Sequence, residues 1–373
     1  MKNDKLNEMY SRIAEELAIS SAVFDDATTS YKAVGEYLSN NLGYEVDIYP
    51  QGSMALGTTV KPINDDDDYD LDMVCILDEN IKDPKTLKNI VGDSLKESDR
   101  YHSMLDDEKK RCWRINYKGR KFHLDIVPAN TLQGTNLRIT NKDEKGIYTF
   151  TESNPKGYID WFQNKQLNEK QNIIKKYREK YSNNIEPLDE TKIHTNLQKS
   201  IMLLKRHRDI MYLDKNISIE NKPISIIITT IMAKLYDEND SILDLLYKFA
   251  FKFESCFEYD EDGNIIIKNP VNSKENFADK WITHPERKDA FYTWVKKVKV
   301  DLIEANFLNI TGQMEQATYL KEIFGSSIIK KVYKEKTLDY KNSPSKYINH
   351  EGTPTLSTTK TDIKIGGHTY YGY

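Results

Sequence analysis

The chain has little of several things, and each shortage narrows what it can be. Only three of its 373 residues are cysteine. Cys75, Cys112 and Cys256 are far apart, odd in number and form no C-x-x-C pair, so neither a disulfide framework nor a structural zinc site is indicated. No apolar run approaches the roughly 20 residues of a bilayer-spanning helix. The longest, "ISIIITTIMAKL" from Ile224 to Leu235, is about a dozen residues. The start, "MKNDKLNEMYSRIAEELAISS", interleaves charges with apolar residues and lacks the continuous apolar core of a secretory signal. A formal net charge of −4 leaves no global positive field for nucleic acid, so any polyanion must be held locally. These absences lead us to expect a reducing, cytoplasmic setting with no membrane partner.

What is present suits a folded, soluble protein. Hydrophobic residues are 38% and charged residues 30%, a globular rather than disordered balance. The length suffices for two ordinary domains or one bilobed unit. Residues 4 to 41 read as helix, because Leu6, Met9, Ile13, Leu17 and then Tyr31, Val34, Tyr37, Leu38 recur at helical spacing. A break is expected near "DDATTS", and Gly43 is placed as the C-cap. In "EVDIYPQGSMALGTTVKP", Val46 and Ile48 mark a short strand that Pro50 should end, after which the Gly-Ser pair opens a helical turn. "YDLDMVCIL" reads as a buried strand, and "DPKTLKNIVGDSLKES" as a helix with Asp83 as N-cap and Pro84 at its first position. "RCWRINYKGRKFHLDIVPAN" reads as a hairpin turning around Lys118-Gly119, with Phe122, Leu124 and Ile126 on one face and His123, Asp125 and Val127 on the other.

From about Asn154 the period becomes helical, and after Leu338 the chain turns polar. The expected organisation is α+β: residues 1–155 form a mixed β-sheet lobe with a long N-terminal helix, 156–338 a mainly α-helical lobe, and 339–373 a flexible tail. The closing "IKIGGHTYYGY" is apolar enough to dock. No internal repeat is present.

The chemistry centres on "NDDDDYDLDMVCIL", Asn64 to Leu77. Side chains two apart on a strand share a face, so Asp70 and Asp72 project together while Tyr69, Leu71 and Met73 point into packing. Two carboxylates on a fixed backbone suit Mg²⁺, which wants hard oxygen ligands and completes its shell with substrate phosphate. Asp125 has the same local alternation on a separate strand. If the strands are neighbours, three carboxylates converge and can hold two ions for in-line phosphoryl transfer. Asp65 to Asp68 precede the strand, lack its phase, and read as a solvated acidic approach. A calcium loop does not fit, since "DDDYDLD" lacks the required Gly and bidentate Glu. Gly52 lets the backbone approach an anion, and Ser53 adds a hydroxyl and an N–H.

Together, "QGSMALGT…KP…DYDLDMV…HLDIVPA" resembles the DNA polymerase β-like nucleotidyltransferase superfamily. More narrowly it resembles the cGAS/DncV-like nucleotidyltransferases (CD-NTases), which make cyclic oligonucleotide signals in bacterial antiphage (CBASS) defence. The likeness extends to "NPKGYIDWF" and to "NPVNSKENFADKW", Asn269 to Trp281. It implies a bilobed polymerase β-like fold and a metal-dependent enzyme joining NTPs, ATP among them, into a cyclic di- or trinucleotide with release of pyrophosphate. By position it implies that Gln51, Gly52 and Ser53 bind the donor triphosphate. Asp70, Asp72 and Asp125 would hold two Mg²⁺ or Mn²⁺ ions, with Asp125 activating the attacking hydroxyl. Lys205 and Ser225 would contact triphosphate from the second lobe. His123 and His207 are read as packing or surface residues.

The resemblance also implies a downstream effector reached through the product, and an operon-encoded regulator or conjugating enzyme as partner. This chain ends "GGHTYYGY", which places Gly372 one residue short of a terminal glycine, so conjugation would need trimming. No His/Cys zinc insert is present, so a nucleic-acid activator is not implied, and the basic "KQNIIKKYREKY" reads as a solvated helix face. The alternative is a superfamily enzyme that makes linear oligonucleotides or modifies RNA, a protein or a small molecule. The isoelectric point of about 6.1 argues against basic RNA-binding extensions. A degenerate binding module would have lost an acid or the Gly-Ser pair, and all are here. Base choice, linkage and oligomeric state are not readable from spacing.

Overall fold

The computed structural model describes residues 2–64, 67–117, 119–180, 193–304 and 313–342, with the pairs 347–348, 354–355 and 363–364. Its centre is a six-stranded mixed sheet of β1 (Asp47–Gln51), β2 (Tyr69–Leu77), β3 (Trp113–Tyr117), β4 (Phe122–Gln133), β5 (Asn136–Lys142) and β6 (Tyr148–Ser153). The order is β1-β2-β4-β5-β6, with β3 also paired to β4. Only β2 and β4 run parallel. A parallel pair needs a crossover, and the intervening chain includes α4 (Pro84–Glu97). Asp83 caps α4 by accepting from the Thr86 N–H, with Pro84 in its first turn.

The alternation of β2 sorts the two faces of the sheet. Tyr69, Leu71, Met73, Cys75 and Leu77 face one way, into a core with Leu87, Val91 and Leu95 of α4 and Val34 and Leu38 of α2 (Ser21–Asn41). The opposite face carries Asp70 and Asp72, then Val74, which packs with Val127, Ala129, Leu137 and Ile139. One strand therefore supplies polar chemistry at its start and a second small core at its end.

The first helices divide elsewhere than the sequence suggests. α1 (Lys2–Leu17) ends before Ala18, and Ser20 caps α2 by accepting from the Val23 N–H, so "DDATTS" lies within α2. Ala27 in that stretch is fully buried, which holds the helix continuous through the polar residues around it. The two helices also serve different cores: Leu6, Ile13 and Leu17 of α1 pack with the helical half, α2 with the sheet. Gly43, just past α2, has φ +67, as a C-terminal glycine should. Pro50 does not end its strand. It lies inside β1, paired with Met73, and is tolerated because β1 is an edge strand with no partner for the missing N–H. The sequence reading assigns nothing to residues 131–153, where β5 and β6 lie.

α3 (Gly52–Leu56) follows β1 directly. The helical half comprises α5 (Pro155–Lys165), α6 (Leu167–Lys180), α7 (Asn196–Met211), α8 (Ser225–Leu235), α9 (Ile242–Lys252), α10 (Lys280–Thr283), α11 (Pro285–Val298), α12 (Gln313–Phe324) and α13 (Ser326–Asn342). α7 is its axis, buried at nearly every position from Leu197 to Arg208 and started by a Thr195/Gln198 capping box. "NPVNSKENFADKW" forms β8 (Asn272–Asn276) and part of β7 (Lys268–Asn269) and α10; Asn269 donates to Glu275 at 2.7 Å, which accepts from Ser153 at the end of β6. That segment braces the helical half against the sheet. Beyond Leu338, α13 runs on to Asn342, and three two-residue strands pair at Tyr347–Ile348, Pro354–Thr355 and Ile363–Lys364. The last nine residues lie outside the described ones. No described helix is long and apolar enough to cross a membrane.

Trp113 crosses α4 at Gly92, where an added Cβ would lie 2.8 Å from the indole Nε1 and collide with the ring carbons. The indole in turn donates to the Lys88 carbonyl at 2.9 Å. Gly92→Ala is expected to lower stability by about 1–3 kcal/mol through overpacking, read as a fall in chemical-denaturation midpoint without a change in slope.

Candidate active site

β1 delivers the chain to the site in register: Gln51 pairs with Asp72, and Gly52 follows. Gly52 has φ +65, and a Cβ there would strike the Asp72 carboxylate. Only glycine satisfies both the left-handed backbone and the close approach. Ser53 follows with its hydroxyl 3.1 Å from that of Thr59. Gln51 is the N-cap of α3 but makes no side-chain capping bond.

The carbonyls after this turn are met by side chains from the helical half. Gln163 of α5 donates to Ala55, Gln198 of α7 to Leu56 at 2.9 Å, Lys205 to Thr58 at 2.8 Å, and Arg206 to Lys61 and Pro62. The Gly-Ser turn is thereby seated on α7. Neither glutamine carries a sequence signal of this role, because each is one polar position on an amphipathic helix.

Asp70 and Asp72 share the polar face of β2, as their spacing requires. The parallel register sets Asp72 beside Asp125 and Asp70 beside His123. His123 is not a bystander: its Nε2 contacts Asp70 Oδ1, and this hydrogen bond holds the Asp70 carboxyl below its ordinary range. Asp125 accepts two bonds from the Arg114 fork, Nε to Oδ1 at 2.7 Å and Nη2 to Oδ2 at 2.8 Å. Burial, then the charges of Asp125 and Asp70, push Asp72 up to about 7.

Three hard oxygen donors on adjacent strands suit a divalent cation, and the like charge that lifts Asp72 is what such an ion relieves. In the present arrangement the carboxylates are turned onto His123 and Arg114, and among the described residues no three acidic, His or Cys side chains are grouped to hold a metal. Donor chemistry fits; in the present arrangement Arg114 contacts both oxygens of Asp125.

Facing β2 across a cavity of about 510 Å³ is the helical half. Gly52, Ser53, Asp70, Asp72, Lys205 and Ser225 all line it, together with Asp67 and Asp68. Gln51 and Asp125 do not. Asp67 and Asp68 are solvent-exposed, as a solvated approach should be; Asp65 and Asp66 lie outside the described residues.

Lys205 is only 6% exposed, and burial followed by the charge of Arg208 pushes it down to about 8. Arg208, one turn on, donates to Asp209, to the Pro223 carbonyl and to Ser225 Oγ at 2.9 Å. Lys222 meets Asp209 at 2.7 Å. With Oγ accepting from Arg208, the Ser225 hydroxyl hydrogen is left to donate elsewhere. The sequence reading missed Arg208, Asp209 and Lys222; the signal was the α7 period, which puts 205, 208, 209 and 212 on one face. His207 points the other way into the core, bonded to Asp301 at 3.1 Å and accepting from Trp294 at 3.0 Å. The three cysteines are buried and free.

Comparison with known proteins agrees with this geometry. The family model of the SMODS domain, described as Second Messenger Oligonucleotide or Dinucleotide Synthetase domain, matches residues 5–166. A c-di-GMP synthase of Roseivirga ehrenbergii is 29% identical over 99% of this chain and 97% of its own length. The cyclic dinucleotide synthase CdnG of Bradyrhizobium diazoefficiens is 22% identical over 74% of this chain and 70% of its own. The solved structure of that organism's CD-NTase CdnG in complex with GTP superposes with a TM-score of 0.69 at 18% identity, covering 89% of this chain and 99% of that one.

A buried ammonium opposing a stripe of other charges is kept at a cost to stability. The folded pKa of Lys205 lies below the unfolded value, so the native state gains stability as pH rises from 8 toward 10.5. Lys205→Met removes that buried charge but also the donor to the Thr58 carbonyl, so the two effects oppose each other at pH 7. The gain in stability between pH 8 and 10.5 should be lost in Lys205→Met, measured by denaturation at several pH values.

Proposed function

We propose that the chain is a cGAS/DncV-like nucleotidyltransferase of the DNA polymerase β-like superfamily and that it joins two NTPs into a cyclic dinucleotide, releasing pyrophosphate. One observation carries the reading: a single cavity brings the Gly52-Ser53 turn, the Asp70/Asp72 pair, and Lys205 with Ser225 around a space suited to one nucleoside triphosphate. GTP is assigned among the substrates, since the full-length relative is a c-di-GMP synthase and the CdnG structure contains GTP.

The residues divide the work as follows. Ser53 donates to phosphate oxygens, with Gly52 keeping the backbone clear of Asp72. Lys205, and the Ser225 hydroxyl oriented by Arg208, hold the terminal phosphates from the α7 side. Asp125 takes the proton of the attacking ribose hydroxyl as its oxygen bonds to the α-phosphorus and the bond to pyrophosphate breaks. Two Mg²⁺ or Mn²⁺ ions bound by Asp70, Asp72 and Asp125 would lower the pKa of that hydroxyl and neutralise the leaving group. The same acids serve both bonds, the second closing the ring after the linear intermediate turns over. We assign the product to CBASS-type antiphage signalling in the cytoplasm, acting through a downstream effector, with an operon-encoded regulator as a partner.

Purified protein incubated with all four NTPs and Mg²⁺ or Mn²⁺ should yield a nuclease-resistant cyclic product, identified by mass spectrometry. Asp70→Asn combined with Asp72→Asn should lower the rate at least ~10³-fold with the fold retained by circular dichroism. Undiminished product from the double variant, or none from the natural sequence with either metal, would overturn the assignment.

A further inference from the structure

We propose that Arg114 is the resident counter-cation of the acid cluster, and that its grip on Asp125 and the loading of a divalent ion are mutually antagonistic. The proposal rests on the metal site assigned above.

Arg114 is the second residue of β3, in register with Asp125 on the neighbouring strand, so both side chains leave the sheet on the same face. Its fork uses both carboxylate oxygens of Asp125, and Nη2 is also 3.7 Å from Asp70 Oδ1. One guanidinium therefore contacts two of the three acids that would hold a cation. His123 contacts the same oxygen of Asp70.

A bidentate pair is directional and charge-assisted, so Asp125 is not free to swing toward Asp70 and Asp72 while it lasts. A divalent ion beside Asp125 would also face the Arg114 charge at a few ångströms. The two cations compete for one set of oxygens, and the penalty is reciprocal: whatever Arg114 costs the ion, the ion costs the Arg114 pair. The Arg114 side chain remains 27% exposed on its strand, so it has room to leave. An ordinary cross-strand ion pair would have the same geometry but would not influence cation affinity in this direction.

The test is Mn²⁺ binding without nucleotide, read by electron paramagnetic resonance of the free ion. Arg114→Gln should bind Mn²⁺ roughly tenfold more tightly than the natural sequence. Its melting temperature should be lower in chelator and should rise more when Mn²⁺ is added. The gain should vanish in the Asp70→Asn, Asp72→Asn background. Arg114→Lys keeps the charge but loses the fork and should fall between; it serves if Arg114→Gln does not fold. Unchanged or weaker Mn²⁺ affinity in a folded Arg114 variant, with binding that depends on Asp70 and Asp72, would overturn the counter-cation role alone. No Mn²⁺ binding by any form would overturn it together with the metal site.

Discussion

The Gly-Ser turn is held by carbonyl accounting. Residues 55–62 leave a short helix and cross to the next strand without ladder partners for most of their carbonyls, and buried carbonyls must be satisfied. Gln163, Gln198, Lys205 and Arg206 satisfy them, each from a helix of the other half. The Lys61 N–H and ammonium complete the strap by donating to Leu17 and Glu16. Because these donors sit on α5 and α7, polar bonds tie the Gly-Ser turn, and through the pairing of Gln51 with Asp72 the D-x-D strand, to the cationic face of α7. The cavity is thus joined at its floor by polar bonds, with the two large apolar clusters kept separate on either side.

The acid face illustrates the opposite economy. Folding places three carboxylates on adjacent strands and leaves their mutual repulsion to be met by Arg114 and His123, while burial and the neighbouring charges push Asp72 up to about 7. Opposite them, Lys205 is buried as an ammonium and Arg208 is tied to Asp209. Each device balances charge within its own wall of the cavity. The two walls remain oppositely charged, which is the arrangement a metal-bearing polyphosphate would bridge.

Much of this was legible before the fold was known, for identifiable reasons. Asp70 and Asp72 were found because a strand has period two and their neighbours Tyr69, Leu71 and Met73 are apolar. Asp83 and Pro84 announced α4 because capping is local chemistry. The break between α1 and α2 was misplaced because polar residues on a helix look like a gap when the buried Ala27 among them is too small to register. Pro50 misled because its cost depends on whether a strand is central or at an edge, which is a property of the sheet. β5 and β6 do carry strand formers, Leu137, Ile139 and Thr140 in one and Tyr148, Thr149, Phe150 and Thr151 in the other, a signal the sequence reading leaves unassigned.

The sequence by itself determined the local phases: which carboxylates share a face, which helix carries Lys205, where caps begin. Those depend on interactions a few residues apart. Tertiary structure alone decided that β2 and β4 are parallel neighbours, that Asp125 is held by Arg114, that His123 meets Asp70, and that Arg208 orients Ser225. Registers and side-chain partners between distant segments are chosen by packing both halves at once, and no spacing along one segment encodes them.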